Sequence, residues 1–244
     1  MTTPSHATPT RTAATPRIER FRDVQALADA VAGLVAAAVT QGVQRRGRAS
    51  LVFSGGGTPA LFLPHVATLS LPWEKVSVLL ADERWVEETS PDSNAGMLRR
   101  MLLDRAGPAQ ARFIPLKNTA ASAGEGVAGL RTRLPPLDQR YDLVLLGMGN
   151  DGHFASLFPG SPRLAQLLSP DNNERAAAVP APTTADPKIE RITLTLAELK
   201  RSERILLVIQ GVAKLDALVR AWQGGDALRT PVVALGDVEV FWCP

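Results

Sequence analysis

From Asp23 onward the chain alternates between two hydrophobic periods. Val24, Leu27, Ala28, Val31, Leu34, Val35, Ala38 and Val39 recur at helical spacing behind Asp23, a side chain suited to capping, and predict an amphipathic helix over residues 23–45. Ala49 to Phe53 is then apolar at nearly every position and runs into Ser54-Gly55-Gly56-Gly57-Thr58-Pro59, which reads as a buried strand meeting a glycine loop. Three more runs of strand length follow, at residues 76–81 (VSVLLA), 141–146 (YDLVLL) and 204–209 (RILLVI), separated by helical or loop-rich stretches. Strands apolar at consecutive positions must be covered on both faces. The pattern therefore predicts an α/β protein with a mostly parallel sheet between helical layers. Residues 192–196 (ITLTL) alternate and residues 238–242 (VEVFW) partly do, so both are expected as edge or half-exposed strands. Neither an internal repeat nor a long linker interrupts residues 20–244, so residues 18–244 are expected to form one domain.

Residues 1–17 break this pattern. They are Thr, Pro and Ala with almost no large apolar side chain, and cannot bury enough surface to offset the entropy of ordering. A disordered leader is expected there. Its Arg and Thr content resembles an organelle transit peptide, but it lacks an amphipathic apolar face and any secretory apolar segment, so the expectation is a plain tail on a cytoplasmic protein.

Charge narrows the class of partner. The net charge of +3 invites a nucleic-acid reading, but residues 1–22 alone carry Arg11, Arg17, Arg20 and Arg22 against Glu19, and the remainder balances at 23 basic and 23 acidic residues. A balanced body without a basic stripe lacks the footprint for phosphate-backbone binding, so no nucleic-acid partner is expected. The most apolar stretch, residues 24–43, is interrupted by Gln25, Asp29, Thr40 and Gln41 and falls short of the ~18 uninterrupted apolar residues of a membrane helix. No membrane partner is expected. One cysteine, Cys243, excludes an intramolecular disulfide framework, and His6, His65 and His153 have no ligand-like spacing, so no metal is expected.

In open α/β sheets the ligand crevice lies beyond the carboxyl ends of the strands. The residues following the apolar runs are therefore the candidates. Ser54 to Thr58 is too short for a P-loop, but three glycines at a helix start, with Pro59 in the first turn, let backbone N–H groups converge on an anion, and Ser54 and Thr58 add hydroxyls. A tight turn with no ligand is the alternative. After VSVLLA come Asp82-Glu83-Arg84-Trp85, and after YDLVLL come Gly147-Met148-Gly149-Asn150-Asp151-Gly152-His153. The latter spells GxGxxG, yet Asp151 inside the loop and the polar SPDNNE stretch about twenty residues on argue against a dinucleotide. Asp-Gly-His at a strand end, opening a short helix through Leu157 and Phe158, suits acid–base chemistry, since histidine titrates nearest neutrality and a carboxylate can orient its ring. Arg84, Arg191 and Lys214 are further cations near strand ends; alone, each also fits a solvated charge or a surface ion pair.

Taken together, SGGGTP, ADERWVEETSPDSN (residues 81–94), LGMGNDGHFASLFPG (146–160), ERITLTL (190–196) and QGVAKLDAL (210–218) resemble, in order and spacing, the 6-phosphogluconolactonase family. That resemblance implies a three-layer sandwich of modified Rossmann topology, shared with glucosamine-6-phosphate deaminase. It also implies hydrolysis of 6-phospho-D-glucono-1,5-lactone in the pentose phosphate pathway without a cofactor. Residue by residue, it assigns Gly55, Gly56 and Thr58 to a phosphate loop, Arg191 and Lys214 to phosphate binding, His153 to catalysis, and Arg84, Asp82 and Asp151 to the same pocket. Phe154 departs from the family pattern and is expected to narrow the pocket mouth. The C-terminal Phe241-Trp242-Cys243-Pro244 also departs from it, with an expected effect on strand packing alone. A deaminase of the same fold and a non-catalytic sugar-phosphate sensor are the competing readings. The deaminase motif carries a glutamate where this chain has Phe158, which cannot transfer a proton.

Overall fold

The computed structural model describes residues 16–183 and 186–244. The leader expected over residues 1–17 thus lies almost wholly outside the described residues, and its last residue, Arg17, already belongs to a strand. The described strands are β1 (Arg17–Arg20), β2 (Ala49–Phe53), β3 (Val76–Leu80), β4 (Asp82–Arg84), β5 (Arg112–Ile114), β6 (Leu143–Leu146), β7 (Ala176–Val179), β8 (Arg191–Leu194), β9 (Ile205–Gln210) and β10 (Glu239–Cys243). The α-helices are α1 (Val24–Arg46), α2 (Pro59–Ala67), α3 (Asn94–Leu98), α4 (Ala123–Leu130), α5 (Leu164–Leu167), α6 (Leu196–Leu199) and α7 (Val212–Gly224).

Asp23 caps α1 as its position predicts, accepting from the Ala26 N–H at 2.8 Å, and Gly47 ends the helix in the left-handed conformation. By length and composition α1 is apolar enough to cross a membrane. Its stripe of Leu27, Val31, Val35 and Val39 is instead fully buried in the protein core, where the helix packs on α2 and β2. Each such side chain contributes about 1.5–3 kcal/mol on burial, which commits the helix to the core.

Seven strands pair in the order β1-β10-β9-β6-β2-β3-β5, every pair parallel. All four residues of β6, and Leu206 to Ile209 of β9, are buried at successive positions, so helices cover both faces and the sandwich has three layers. The chain moves from β2 outward to β3 and β5, then restarts on the other side of β2 with β6 and continues to β9 and β10. The order reverses between β2 and β6, which places the ligand crevice at their carboxyl ends.

A second, antiparallel sheet of order β4-β8-β7 hangs over that end. It is tied to the main sheet through Ala81, whose N–H reaches the Phe53 carbonyl and whose carbonyl accepts from Leu194.

Four expectations are corrected. The ITLTL segment forms β8, which is the central strand of the small sheet and buried at every position. Its alternation arises because the polar side chains are engaged: the Thr193 hydroxyl donates to the Leu194 carbonyl and accepts from the Ser156 N–H. Strand β10 is not an edge, since β1 pairs outside it. The sequence RIER hides that edge strand because a solvent-facing edge needs charge rather than an apolar run. No helix runs through Leu157 and Phe158; Gly152 and Ala155 both have positive φ, and the Leu157 N–H closes a turn onto the Phe154 carbonyl. Phe154 is fully buried and does not narrow the mouth of the cleft, whose wall at this point is Ala155.

Candidate functional site

Strand β2 ends in the glycine loop, and two of its residues have to be glycine. Gly56 sits at φ +87°, and a Cβ on Gly55 would lie 1.9 Å from the Asn94 amide oxygen. Thr58 stands at the N-terminus of α2 without making a side-chain cap bond, and Pro59 opens the helix. The buried Ser54 hydroxyl has no partner among the described residues. Backbone amides, a helix N-terminus and two uncommitted hydroxyls therefore converge, as an anion site requires.

Strand β4 carries the second wall. Glu83, almost wholly buried, accepts from the Arg84, Asn94 and Ala95 N–H groups and from the Ser93 hydroxyl. Burial pushes its carboxyl pKa upward, against the pull of those backbone donors. By fixing the start of α3, Glu83 places Asn94, whose Nδ2 donates to the Asp82 carbonyl (2.9 Å) and whose Oδ1 accepts from the Arg84 guanidinium (2.8 Å). Arg84 also donates to the Asp92 carbonyl, which leaves its buried Nε without a partner. The register of β4 on β8 sets Arg191 directly opposite Arg84. Arg191 is 4% exposed, its Nε is unpartnered, and its guanidinium lies 5.1 Å from the Phe158 ring centroid. Burial lowers the pKa of both Arg191 and Lys214, with the Arg84 charge adding to the effect on Arg191. Among the described residues none of Arg84, Arg191 and Lys214 forms an ion pair with a carboxylate. Three desolvated cations without anions make a receptor for one.

The loop after β6 carries a histidine paired with a carboxylate. His153 Nδ1 lies 2.5 Å from Asp151 Oδ1, and the same oxygen accepts from the His153 N–H. A Cβ on Gly149 would come within 2.2 Å of the imidazole, so this position must be glycine for the ring to fold back over the loop. With Nδ1–H donated to the carboxylate, Nε2 is left as the basic nitrogen; this tautomer follows from the hydrogen bond. Burial raises the Asp151 pKa, but the hydrogen bond and charge of His153 outweigh it, so the carboxyl lies below its ordinary 3.8. Its contribution to stability is therefore present above that value and lost as pH falls through the depressed one. Asp151→Asn is expected to lower kcat about tenfold to a hundredfold with KM changed less than about threefold, because it removes the orienting charge and leaves the cleft intact. Steady-state kinetics at neutral pH checks this.

Ser54, Gly55, Gly56, Thr58, Asp82, Arg84, His153, Arg191 and Lys214 all line one cleft of about 200 Å³. Asp151 does not line it. It backs the imidazole and faces a neighbouring cleft with Arg220 and Arg229. The small, polar cleft suits a compact anionic ligand. Asp82, 4% exposed, accepts from the Ser156 hydroxyl at 2.5 Å. No group of three His, Cys, Asp or Glu side chains that could hold a metal occurs among the described residues.

Sequence reasoning missed Asn94, Glu83 and the bridging role of Phe158, whose ring centroid lies 4.4 Å from that of His153 and 5.1 Å from the Arg191 guanidinium. The TSPDSN turn was the available signal for Asn94. Nothing local marks the other two.

A model of the family described as glucosamine-6-phosphate isomerases/6-phosphogluconolactonase matches residues 22–242. The chain is 41% identical to a 6-phosphogluconolactonase of Mesorhizobium japonicum over 92% of this chain and 94% of that protein. It is likewise 41% identical to one of Caulobacter vibrioides, over 93% and 97%. Among solved structures, a 6-phosphogluconolactonase from Shewanella baltica superposes with a TM-score of 0.89 at 33% identity, covering 96% of this chain and all of that one. A monomeric glucosamine-6-phosphate deaminase superposes with a TM-score of 0.77 at 20% identity over 93% of this chain and 97% of that one, which shows a shared fold.

Proposed function

The chain belongs to the glucosamine-6-phosphate isomerase/6-phosphogluconolactonase family and is a lactone hydrolase with 6-phosphogluconolactonase activity, and on that premise we propose how its cleft divides the work. The phosphate of the substrate sits against the Gly55–Thr58 amides, Arg191 and Lys214, and the lactone carbonyl faces His153. The observation that carries this reading is the single Phe158 ring that touches the imidazole and the buried guanidinium alike, which keeps both ends of the cleft within reach of one six-carbon ligand.

Neutral His153 takes a proton from water at Nε2 while that water attacks C1, giving a tetrahedral oxyanion. The imidazolium, held by Asp151, then returns the proton to the ring oxygen as the C–O bond opens. General-base help of this kind supplies about 10²–10⁴ in rate, and the positive field of Arg84 stabilises the developing charge. Phosphate binding remote from the reacting carbon fixes the carbonyl against the base, which is how contacts distant from the chemistry raise kcat.

Phe158 also weighs against deaminase chemistry, since the side chain beside His153 at this position is apolar and 2% exposed. Purified protein mixed with freshly generated 6-phosphogluconolactone tests the activity directly. Acid release well above the spontaneous background is expected, and ammonia release from glucosamine 6-phosphate is expected to be absent.

A further inference from the structure

A second cleft, about 320 Å³, opens at the opposite end of the main sheet, where β2, β3 and β5 begin. Five arginines line it: Arg46, Arg48, Arg112, Arg133 and Arg140. The single acid in its lining, Asp142, is already engaged by Arg46 and by the Ser50 N–H. Arg133 is fixed by the carbonyls of Gly129, Pro115 and Leu116, and Arg140 by the Ser202 carbonyl and Glu203. Arg48 and Arg112 have no side-chain partner among the described residues.

The floor of this cleft departs from the rest of the sheet. In β2 and β3 the second position alone is incompletely buried, and in both it is serine. Ser50 pairs with Ser77 in the register, and Ser77 pairs with Arg112. Two hydroxyls and a guanidinium therefore form a row across three adjacent strands and share one face. Valine or alanine would satisfy the packing of a core strand. Ser77 supplies a neutral hydroxyl where the guanidinium forks supply charged donors, while the Ser50 hydroxyl donates a long bond to the Arg140 carbonyl (3.5 Å); neutral and charged donors together suit a phosphate.

We propose that this end of the sheet is a second anion-binding site, taking a small organic phosphate with at least two negative charges. Its charge lies in a concavity rather than along a face, which favours a compact anion over a nucleic-acid backbone. The five residues of β2, about 16 Å of strand, separate it from the glycine loop, so its ligand and the lactone occupy different places.

The test uses inorganic pyrophosphate as probe, by titration calorimetry at fixed ionic strength in the Arg191→Ala background, where the active cleft is weakened. Adding Arg48→Ala and Arg112→Ala, both exposed positions without partners, is expected to raise Kd at least tenfold. The charge-matched pair Arg22→Ala and Arg105→Ala is expected to change it less than twofold. In the otherwise unaltered protein, Arg48→Ala with Arg112→Ala is expected to leave lactonase kcat/KM within about twofold. Equal weakening by the two pairs would show general charge attraction only. Equal weakening, or loss of pyrophosphate binding on Arg191→Ala alone, would overturn the proposal without touching the lactonase reading.

Discussion

His153→Ala is expected to lower kcat at least about a hundredfold while leaving KM for the phosphorylated lactone within about threefold. The imidazole lines the cleft with one ring nitrogen held by a carboxylate, at 2.5 Å from Asp151, which leaves the other nitrogen to accept a proton. Removing it abolishes general-base catalysis, whose usual magnitude is about 10²–10⁴. The phosphate-binding wall is untouched. The ring is a quarter exposed and packs on Phe158 at one edge, so the fold should tolerate its loss. Turnover near that of the parent protein, measured above the spontaneous rate, would remove the histidine from the mechanism.

Arg191→Ala should act on binding. A buried guanidinium with an unpartnered Nε, which among the described residues forms no ion pair with a carboxylate, is only partly compensated in the free protein, and a phosphate dianion repairs that loss. Loss of one charge-assisted hydrogen bond at about 1.5–3 kcal/mol corresponds to roughly a tenfold to hundredfold drop in kcat/KM for the phosphorylated lactone. Unphosphorylated gluconolactone should be nearly unaffected, so the preference between the two collapses. Stability should change little, with Tm held within about 4 °C, because among the described residues the charge removed forms no ion pair and burial already disfavours it. An unchanged preference would contradict the phosphate assignment.

The lining of the candidate cleft was more legible than its scaffolding. Glycine loops, the histidine of a strand-end Asp-Gly-His and the cations at residues 84, 191 and 214 are local patterns, and the sheet order brings them to one cleft because the chain reverses between β2 and β6. The helix behind Asp23 and the core runs at β2, β3, β6 and β9 were equally visible, since burial on both faces leaves an unbroken apolar signature. Periodicity failed where polar atoms are satisfied inside the protein. Thr193 made β8 look half-exposed, although it is buried and accepts from the Ser156 N–H, far away in sequence. It failed again at β1, whose charged residues carry no strand signal, and at Phe154-Ala155, where a left-handed Ala155 turns the chain out of a helix. The residues that position Arg84 escaped for a related reason. Glu83 and Asn94 act through hydrogen bonds across ten or more residues, which spacing does not record.

The central claim is one of orientation: dianion against the glycine loop, reacting carbon against the imidazole. Crystals of the protein soaked with 6-phosphogluconate test it most directly. The phosphate oxygens should lie about 3 Å from the Gly55–Thr58 amides, Arg191 and Lys214, with the C1 carboxylate beside His153 Nε2 and Arg84. A product bound the other way round, phosphate at the histidine, or lying outside this cleft altogether, would contradict the account.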